Sequence, residues 1–335
     1  MKKNKTIYVL TEGGRKTGFG HIARTIALST EFQCFGFQIQ FIVNGDKSVS
    51  SMLNYPVNLF DWTVEQNRLF DILRKDNIIL LDSMLISDEQ ILSLQAISKN
   101  IIFIDDEKRR NILDKGFVLD WTVLSDEKNY FYPKKYNVHY LLGSKYTPLR
   151  KEFTEANKCK IRKNIQSVMI TFGGSDVRNL SPFVLKILQQ NFPKLYINVI
   201  IGAGFTNLEE IEKYTSDHIN LIHNATSQTM IKTIQNSDIA IAAGGQTLYE
   251  LAKIGLPTIA ILLVENAKED TIGWAKVGSL INVGWWNEDK LQDNLINAIE
   301  ELKSFQLRSK MQKSGEKYIG VNGANEIAKT IMENL

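Results

Sequence analysis

The sequence predicts an α/β protein built as two Rossmann-like, doubly wound domains facing a cleft. Three observations carry that expectation. A chain of 335 residues exceeds the usual single-domain size. Short β-branched runs alternate with amphipathic stretches through both halves, as βαβ units and a mainly parallel sheet require. A charge-rich stretch at 148–163 separates the two series. The domains are therefore expected at 1–150 and 151–335, with the last helix a candidate for packing back on the first domain.

In the first series, strands are expected at 6–10, 38–43, 78–81, 101–104 and 140–142. Helices are expected at 22–31, 63–75 and 88–98, where apolar residues recur at helical spacing. The pattern loosens from 107 to 136, which is polar and aromatic. The second series predicts strands at 168–172, 196–201, 219–222, 239–242, 258–262 and 279–283. Helices fall between them at 182–191, 208–213, 229–236, 247–254 and 269–277. Three more helical segments, 288–303, 307–318 and 324–334, close the chain.

Composition narrows the function classes. With 44% hydrophobic and 23% charged residues the chain reads as an ordinary globular protein. A net charge of +3 with scattered lysines gives no electrostatic case for nucleic acid. Cys34 and Cys159 lie far apart without neighbouring ligands, which argues against a disulfide framework or zinc site. A reduced, cytoplasmic compartment fits. The basic start Met1-Lys2-Lys3-Asn4-Lys5 precedes an apolar run too short for a signal-peptide core, and no run reaches transmembrane length.

In open α/β sheets ligands bind outside the carboxyl ends of the strands. The glycine-rich stretches fall there. Gly18-Phe19-Gly20-His21-Ile22-Ala23 matches G-x-G-x-x-G/A, but residues 12–17 separate it from the strand. Asn44 stands near the place of the expected acidic residue, so dinucleotide binding is a weak reading. The stretch also puts His21 at a helix N-terminus, where the dipole disfavours the imidazolium and a neutral ring suits a general base. A capping or packing histidine is the plainer alternative. Arg24 lies one turn further on the same helix face.

Gly173-Gly174-Ser175-Asp176 follows a strand, and backbone N–H groups in such loops can cradle a phosphate. Asp176 opposes direct phosphate contact and suits a cap or a hydroxyl partner; an ordinary βα turn has the same residues. Gly244-Gly245-Gln246-Thr247 leads into a helix whose N-terminus suits a diphosphate, with Glu250 one turn inside to take two ribose hydroxyls. Thr247-x-x-Glu250 also reads as a capping box. Asn266 follows the next strand and suits a sugar or a water. Ile222, His223 and Asn224 follow another, where backbone groups suit a base edge. Asp105-Asp106 raises metal-assisted chemistry, but the following Lys108-Arg109-Arg110 predicts an internally neutralised loop. Zinc, P-loop and nucleophile-elbow motifs are absent.

The ordered set has a further meaning. Gly18, Gly20, His21 and Arg24 are followed by Leu81-Asp82-Ser83, Ile104-Asp105-Asp106, Leu141-Leu142-Gly143, Tyr146, Leu149-Arg150 and Phe153. Phe172-Gly173-Gly174-Ser175-Asp176, Gly244-Gly245, Glu250, Gly255-Leu256-Pro257 and Asn266 continue it. Over nearly the whole chain this resembles the UDP-2,4-diacetamido-2,4,6-trideoxy-β-L-altropyranose hydrolases of pseudaminic acid biosynthesis. Spore-coat and surface-polysaccharide relatives share the same motifs.

The resemblance implies a GT-B architecture similar to that of the lipid II N-acetylglucosaminyltransferase. It implies a UDP-sugar substrate, neither cofactor nor metal, no membrane insertion, and compatibility with a monomer. It makes His21 the active-site histidine, with Gly18, Gly20, Arg24, Asp82, Ser83, Met84 and Asn266 around the sugar. It gives UDP to Gly173, Gly174, Ser175, Ile222, His223, Gly244, Gly245, Gln246, Thr247 and Glu250. Two positions depart from the family pattern. Met84 stands where a tyrosine is frequent, and Ala267 where a glutamine often follows the asparagine; both are expected to face the sugar. The implied reaction is inverting attack of water on C1, with His21 taking the proton. Helix N-termini at Gly174 and at 245–247 would steady the departing diphosphate. Glycosyl transfer to an acceptor and non-catalytic nucleotide-sugar binding share the same UDP features.

Overall fold

Each expected βα repeat folds as its periodicity demands, and the chain divides into two units, Met1–Arg150 with Gly320–Leu335 and Lys151–Ile319. The structure is a computed structural model that describes residues 5–15, 17–74, 77–106, 110–125, 135–206 and 208–335.

The first unit runs β1 (Thr6–Gly13), α1 (Gly20–Cys34), β2 (Gln38–Gly45), β3 (Val57–Leu59), α2 (Gln66–Ile72) and β4 (Ile78–Asp82). It continues with α3 (Asp88–Ile97), β5 (Ile101–Ile104), β6 (Gly116–Asp120) and β7 (Val138–Leu142). All seven strands are parallel, in the order β3-β2-β1-β4-β5-β6-β7. Every residue of β4, β5 and β6 is buried. A parallel sheet covered on both faces requires this, and it explains why these strands read as continuous apolar runs. Two strands go beyond the sequence expectation. β3 has three residues, and β6 lies inside the stretch from 107 to 136 where the alternating pattern loosens. β1 also extends three residues past the expected end, which brings Glu12 into the strand.

The second unit runs α4 (Lys151–Glu155), β8 (Ser167–Thr171), α5 (Leu180–Asn191), β9 (Tyr196–Ile201), α6 (Leu208–Glu212) and β10 (Ile219–His223). There follow α7 (Ser227–Asn236), β11 (Ile239–Ala243), α8 (Gln246–Ile254), β12 (Thr258–Leu262) and α9 (Lys268–Lys276). β13 (Leu280–Trp285), α10 (Leu291–Glu301) and α11 (Phe305–Tyr318) complete it, before the chain returns to the first unit as α12 (Gly323–Asn334). The six strands are parallel, in the order β10-β9-β8-β11-β12-β13.

Strand order decides where a site can form. In the first sheet the winding reverses between β1 and β4, in the second between β8 and β11. Loops leaving such neighbours diverge and open a crevice at the carboxyl ends. At the first reversal Thr11 pairs with Asp82, so Glu12 stands level with Ser83. At the second, Thr171 pairs with Ala242, which brings the two glycine loops side by side.

The closing helix is tied to the first unit by its apolar face, since Ala324, Ile327, Ala328 and Ile331 are buried. Asn325 Nδ2 donates to Glu31 Oε2 of α1 (2.7 Å). Among the described residues no helix is long and apolar enough to cross a membrane. Ile327→Ala removes a fully buried side chain and is expected to cost about 2–5 kcal/mol. A lower urea midpoint with an unchanged slope checks this.

Candidate active site

The first reversal point collects charge. α1 begins at Gly20 without a side-chain cap, so His21 and Arg24 project one turn apart from its first turns. Both reach Asp82 at the end of β4. His21 Nδ1 lies 2.8 Å from Asp82 Oδ1. Arg24 Nη2 donates to the same oxygen at 2.6 Å, and Arg24 Nε to Oδ2 at 2.8 Å. An ionised carboxylate only accepts, so the ring donates Nδ1–H to it and the neutral tautomer keeps its lone pair on Nε2. Asp106 then takes Arg24 Nη1 at 2.6 Å, and the guanidinium stacks 5.1 Å from the Trp121 ring.

Glu12 fixes the loop after β4 from the other side. Its Oε2 accepts the Ser83 hydroxyl (2.7 Å) and its Oε1 the Met84 N–H (2.9 Å). The Ser83 oxygen also accepts the N–H groups of Leu85 (3.0 Å) and Ile86 (3.2 Å). His21, Arg24, Asp82, Ser83 and Met84 line one recess of about 220 Å³ together with Ile104, Asp105, Asp106 and Arg110.

Proton affinities follow from this packing. Burial alone would push the His21 pKa down, and Arg24 adds to that, but Asp82, helped by Glu12, raises it above 6.5 overall. The direction is opposite to the one expected from the helix N-terminus: a full carboxylate at 2.8 Å outweighs the partial charge of the helix end. Asp82 is driven the opposite way. Burial would raise it, yet Arg24 and His21 hold it far below the usual carboxylate range. Asp106 is raised by burial, with the Asp82 and Asp120 carboxylates adding to it, despite its contact with Arg24.

The sequence expectations for this unit are refined in four ways. Arg24 and Asp82 bind each other and orient His21, while the Ser83 hydroxyl is taken by Glu12 and the backbone. Gly18 (φ +81°) pairs through its backbone with Gly14, and a Cβ at Gly18 or Gly20 would meet open space. The loop after β5 is neutralised internally only in part: Arg110 acts on Asp105 through its charge and its backbone N–H, while Asp106 reaches back to Arg24 and Arg110 Nη1 donates to Ile86 O (2.8 Å). Lys108 and Arg109, the other residues of that reading, lie outside the described residues. Among the described residues no group of histidine, cysteine and carboxylate side chains is arranged to hold a metal ion. Glu12 was missed because it reads as the start of a loop.

In the second unit, Gly245 caps α8 with φ +111°, a conformation that favours glycine, and no side-chain hydrogen bond caps the helix. The expected Thr247–Glu250 capping box is therefore absent, since the helix already begins at Gln246. Glu250 is buried one turn in. The loop after β8 behaves differently. Asp176 Oδ1 and Oδ2 accept the N–H groups of Leu180 (2.9 Å) and Ser181 (2.8 Å), so Asp176 occupies the N-terminus of α5. That helix starts at Leu180, and the expectation of a helix N-terminus at Gly174 fails. Gly173 (φ +74°) and Ser175 remain in the turn itself.

Ile222 and His223 end the edge strand β10, where His223 is exposed and Asn224 N donates to Ile201 O (2.9 Å). Asn266 is exposed in a short 3-10 turn, Glu265–Ala267. Ala267, expected to face the sugar, is buried, and a Cβ on Gly244 would come within 2.7 Å of its own Cβ. Small residues at both positions let the start of α9 pack against the α8 turn.

Two parallel-sheet α/β units of this kind make the GT-B fold, the fold of the glycosyltransferase structures that the chain resembles. Residues 167–331 match the model of the glycosyltransferase family 28 C-terminal domain. The spore coat polysaccharide biosynthesis protein SpsG of Bacillus subtilis is 21% identical over 326 residues, covering 94% of each chain. An uncharacterised protein of Methanocaldococcus jannaschii is 26% identical over 279 residues, 78% of this chain. The match spans only 57% of that relative's length. The Helicobacter pylori pseudaminic acid cytidylyltransferase and UDP-2,4-diacetamido-2,4,6-trideoxy-β-L-altropyranose hydrolase is 23% identical over 79% of this chain and 46% of its own. Among solved structures, MurG of Acinetobacter baumannii superposes with a TM-score of 0.69 at 14% identity, covering 98% of this chain and 99% of that one.

Folding raises the His21 pKa, so the stabilisation from the charged ring is complete below 6.5 and is lost as pH rises through the folded value. For Asp82 the sign reverses: its contribution is present above 3.8 and is lost on acidification. Asp82→Asn is expected to move the His21 titration downward. With four histidines in the chain, the imidazole resonances in an NMR pH titration check this directly.

Proposed function

We propose that this chain is a nucleotide-sugar hydrolase that cleaves a UDP-linked sugar at the anomeric carbon, with water as the nucleophile. The single observation that carries the reading is the His21–Asp82 pair, with Nδ1–H held by the carboxylate and Nε2 left as the basic atom. In the proposed reaction Nε2 takes the proton of water as its oxygen bonds to C1, the C1–O bond breaks with inversion, and UDP leaves. Arg24 and Asp106 hold the pair in place. The second unit carries the UDP: the turn at Gly244 and Gly245 and the first amides of α8 suit the diphosphate, and Glu250 the ribose. Asn266 and Met84 are proposed to flank the sugar.

The name of the Helicobacter pylori relative, which carries a hydrolase of this type, supports water as the nucleophile. Glycosyl transfer is the second reading, favoured by the family 28 match and the likeness to MurG. A surface-polysaccharide or nonulosonic acid route would use either activity, in the cytoplasm.

Incubation with a panel of UDP-sugars alone separates the two. Hydrolysis predicts release of UDP and free sugar without an acceptor, whereas transfer predicts turnover only when an acceptor is added. His21→Gln is expected to lower kcat by about 10²–10⁴-fold while UDP affinity persists. Because the folded His21 pKa is raised, kcat/KM of the parent is expected to climb with pH along a limb above 6.5. Near-normal turnover of His21→Gln would remove the base assignment.

A further inference from the structure

Resting on the UDP-sugar reading, we infer that Asp105 is a sugar-recognition residue, whose free carboxyl oxygen accepts a hydrogen bond from a neutral donor on the sugar, an O–H or an amide N–H. The network described above accounts for every carboxylate of the recess except this one. Asp105 directly follows β5, and its backbone N–H is fixed to Leu119 O of β6 at 3.0 Å. The residue is 3% exposed and lines the same recess as His21, yet its Oδ2 is buried without a hydrogen-bond partner among the described residues. Leaving a buried polar atom unpaired costs about 1–3 kcal/mol, which a ligand group can recover. Arg110 Nε, on a second residue of the recess, is also buried and unpartnered, so the wall offers both a donor and an acceptor.

The surrounding charges select the ligand class. Arg110, Arg24 and His21 are the cationic groups of the recess, and Asp82 and Asp106 are its other carboxylates; Asp120 acts on Asp105 from β6. A phosphate would meet three carboxylates, and an ammonium would meet two guanidinium groups. A neutral donor meets neither penalty. Burial, reinforced by Asp106 and Asp120 and opposed by Arg110, pushes the Asp105 carboxyl up to about 7. The accepting carboxylate therefore forms as pH rises through that value.

Calorimetric titration of the His21→Asn chain, which blocks turnover, with UDP, UDP-glucose and UDP-N-acetylglucosamine tests this. With Asp105 present, a UDP-sugar is expected to bind tighter than UDP, and tighter at pH 8 than at pH 6. Adding Asp105→Leu is expected to weaken the UDP-sugar about 10- to 100-fold and leave UDP unchanged. Asp105→Asn, which keeps an accepting oxygen, is expected to restore most of the affinity and to remove that pH dependence. A larger loss for UDP-glucose assigns an O–H donor; a larger loss for UDP-N-acetylglucosamine assigns the amide. Equal weakening of UDP and UDP-sugar, or no weakening of either, overturns the role of Asp105 while the UDP-sugar reading stands. Failure of the parent chain to bind UDP overturns both. Should Asp105→Leu fail to fold, Asp105→Ala tests the same loss, and an unchanged preference for UDP-sugar over UDP in that variant is the contradicting result.

Discussion

The first unit depends on one buried ion cluster, in which the Asp82 carboxylate is held by Arg24 and His21. A carboxylate at 1% exposure is tolerated only with such compensation, since an unpaired charge in that position would cost several kcal/mol. The two cationic partners come from one helix at i and i+3, and the anion from the strand on the far side of the winding reversal. The sheet order thus brings these three residues together. Once paired, the cluster fixes both the orientation of the imidazole and its tautomer, which are the properties a proton acceptor needs.

The same constraint explains the neighbours. With Arg24 bridging Asp82 and Asp106, the loops after β4 and β5 are tied to α1. Glu12 then pins the Ser83–Met84 backbone from β1, so four secondary structure elements converge on one histidine. The second unit meets its own demand with backbone rather than charge. Gly245 turns the chain into α8 in a conformation few other residues adopt, and Gly244 and Ala267 are small because two segments touch there. Asp176 fills the α5 N-terminus with its own carboxylate, whereas α8 starts at Gly245 without a side-chain cap.

Much of this was legible in the sequence, and the gaps have physical causes. The parallel strands were visible because full burial makes them apolar throughout; β6 escaped because its five residues run straight into Trp121-Thr122-Val123-Leu124 with no periodicity of their own. His21 and Arg24 stood out through their glycine neighbours and helical spacing. The partners of Asp106 did not, because local basic residues suggested neutralisation in sequence while the real partner lies 82 positions away. Asp82 and Ser83 were marked by family resemblance, but their task, orienting and anchoring, follows only from the pairing of β1 with β4. Ala267 was marked by the family pattern, in which a glutamine often follows the asparagine; in this chain Asn266 is exposed while Ala267 turns inward.

The central claim is that the His21 side delivers water to a sugar's anomeric carbon. Turnover of a UDP-sugar in ¹⁸O-labelled water, followed by mass spectrometry of both products, tests it most directly. Attack at C1 places the label in the free sugar and leaves the UDP unlabelled. Label in the UDP phosphate would mean attack at phosphorus, and would contradict the account.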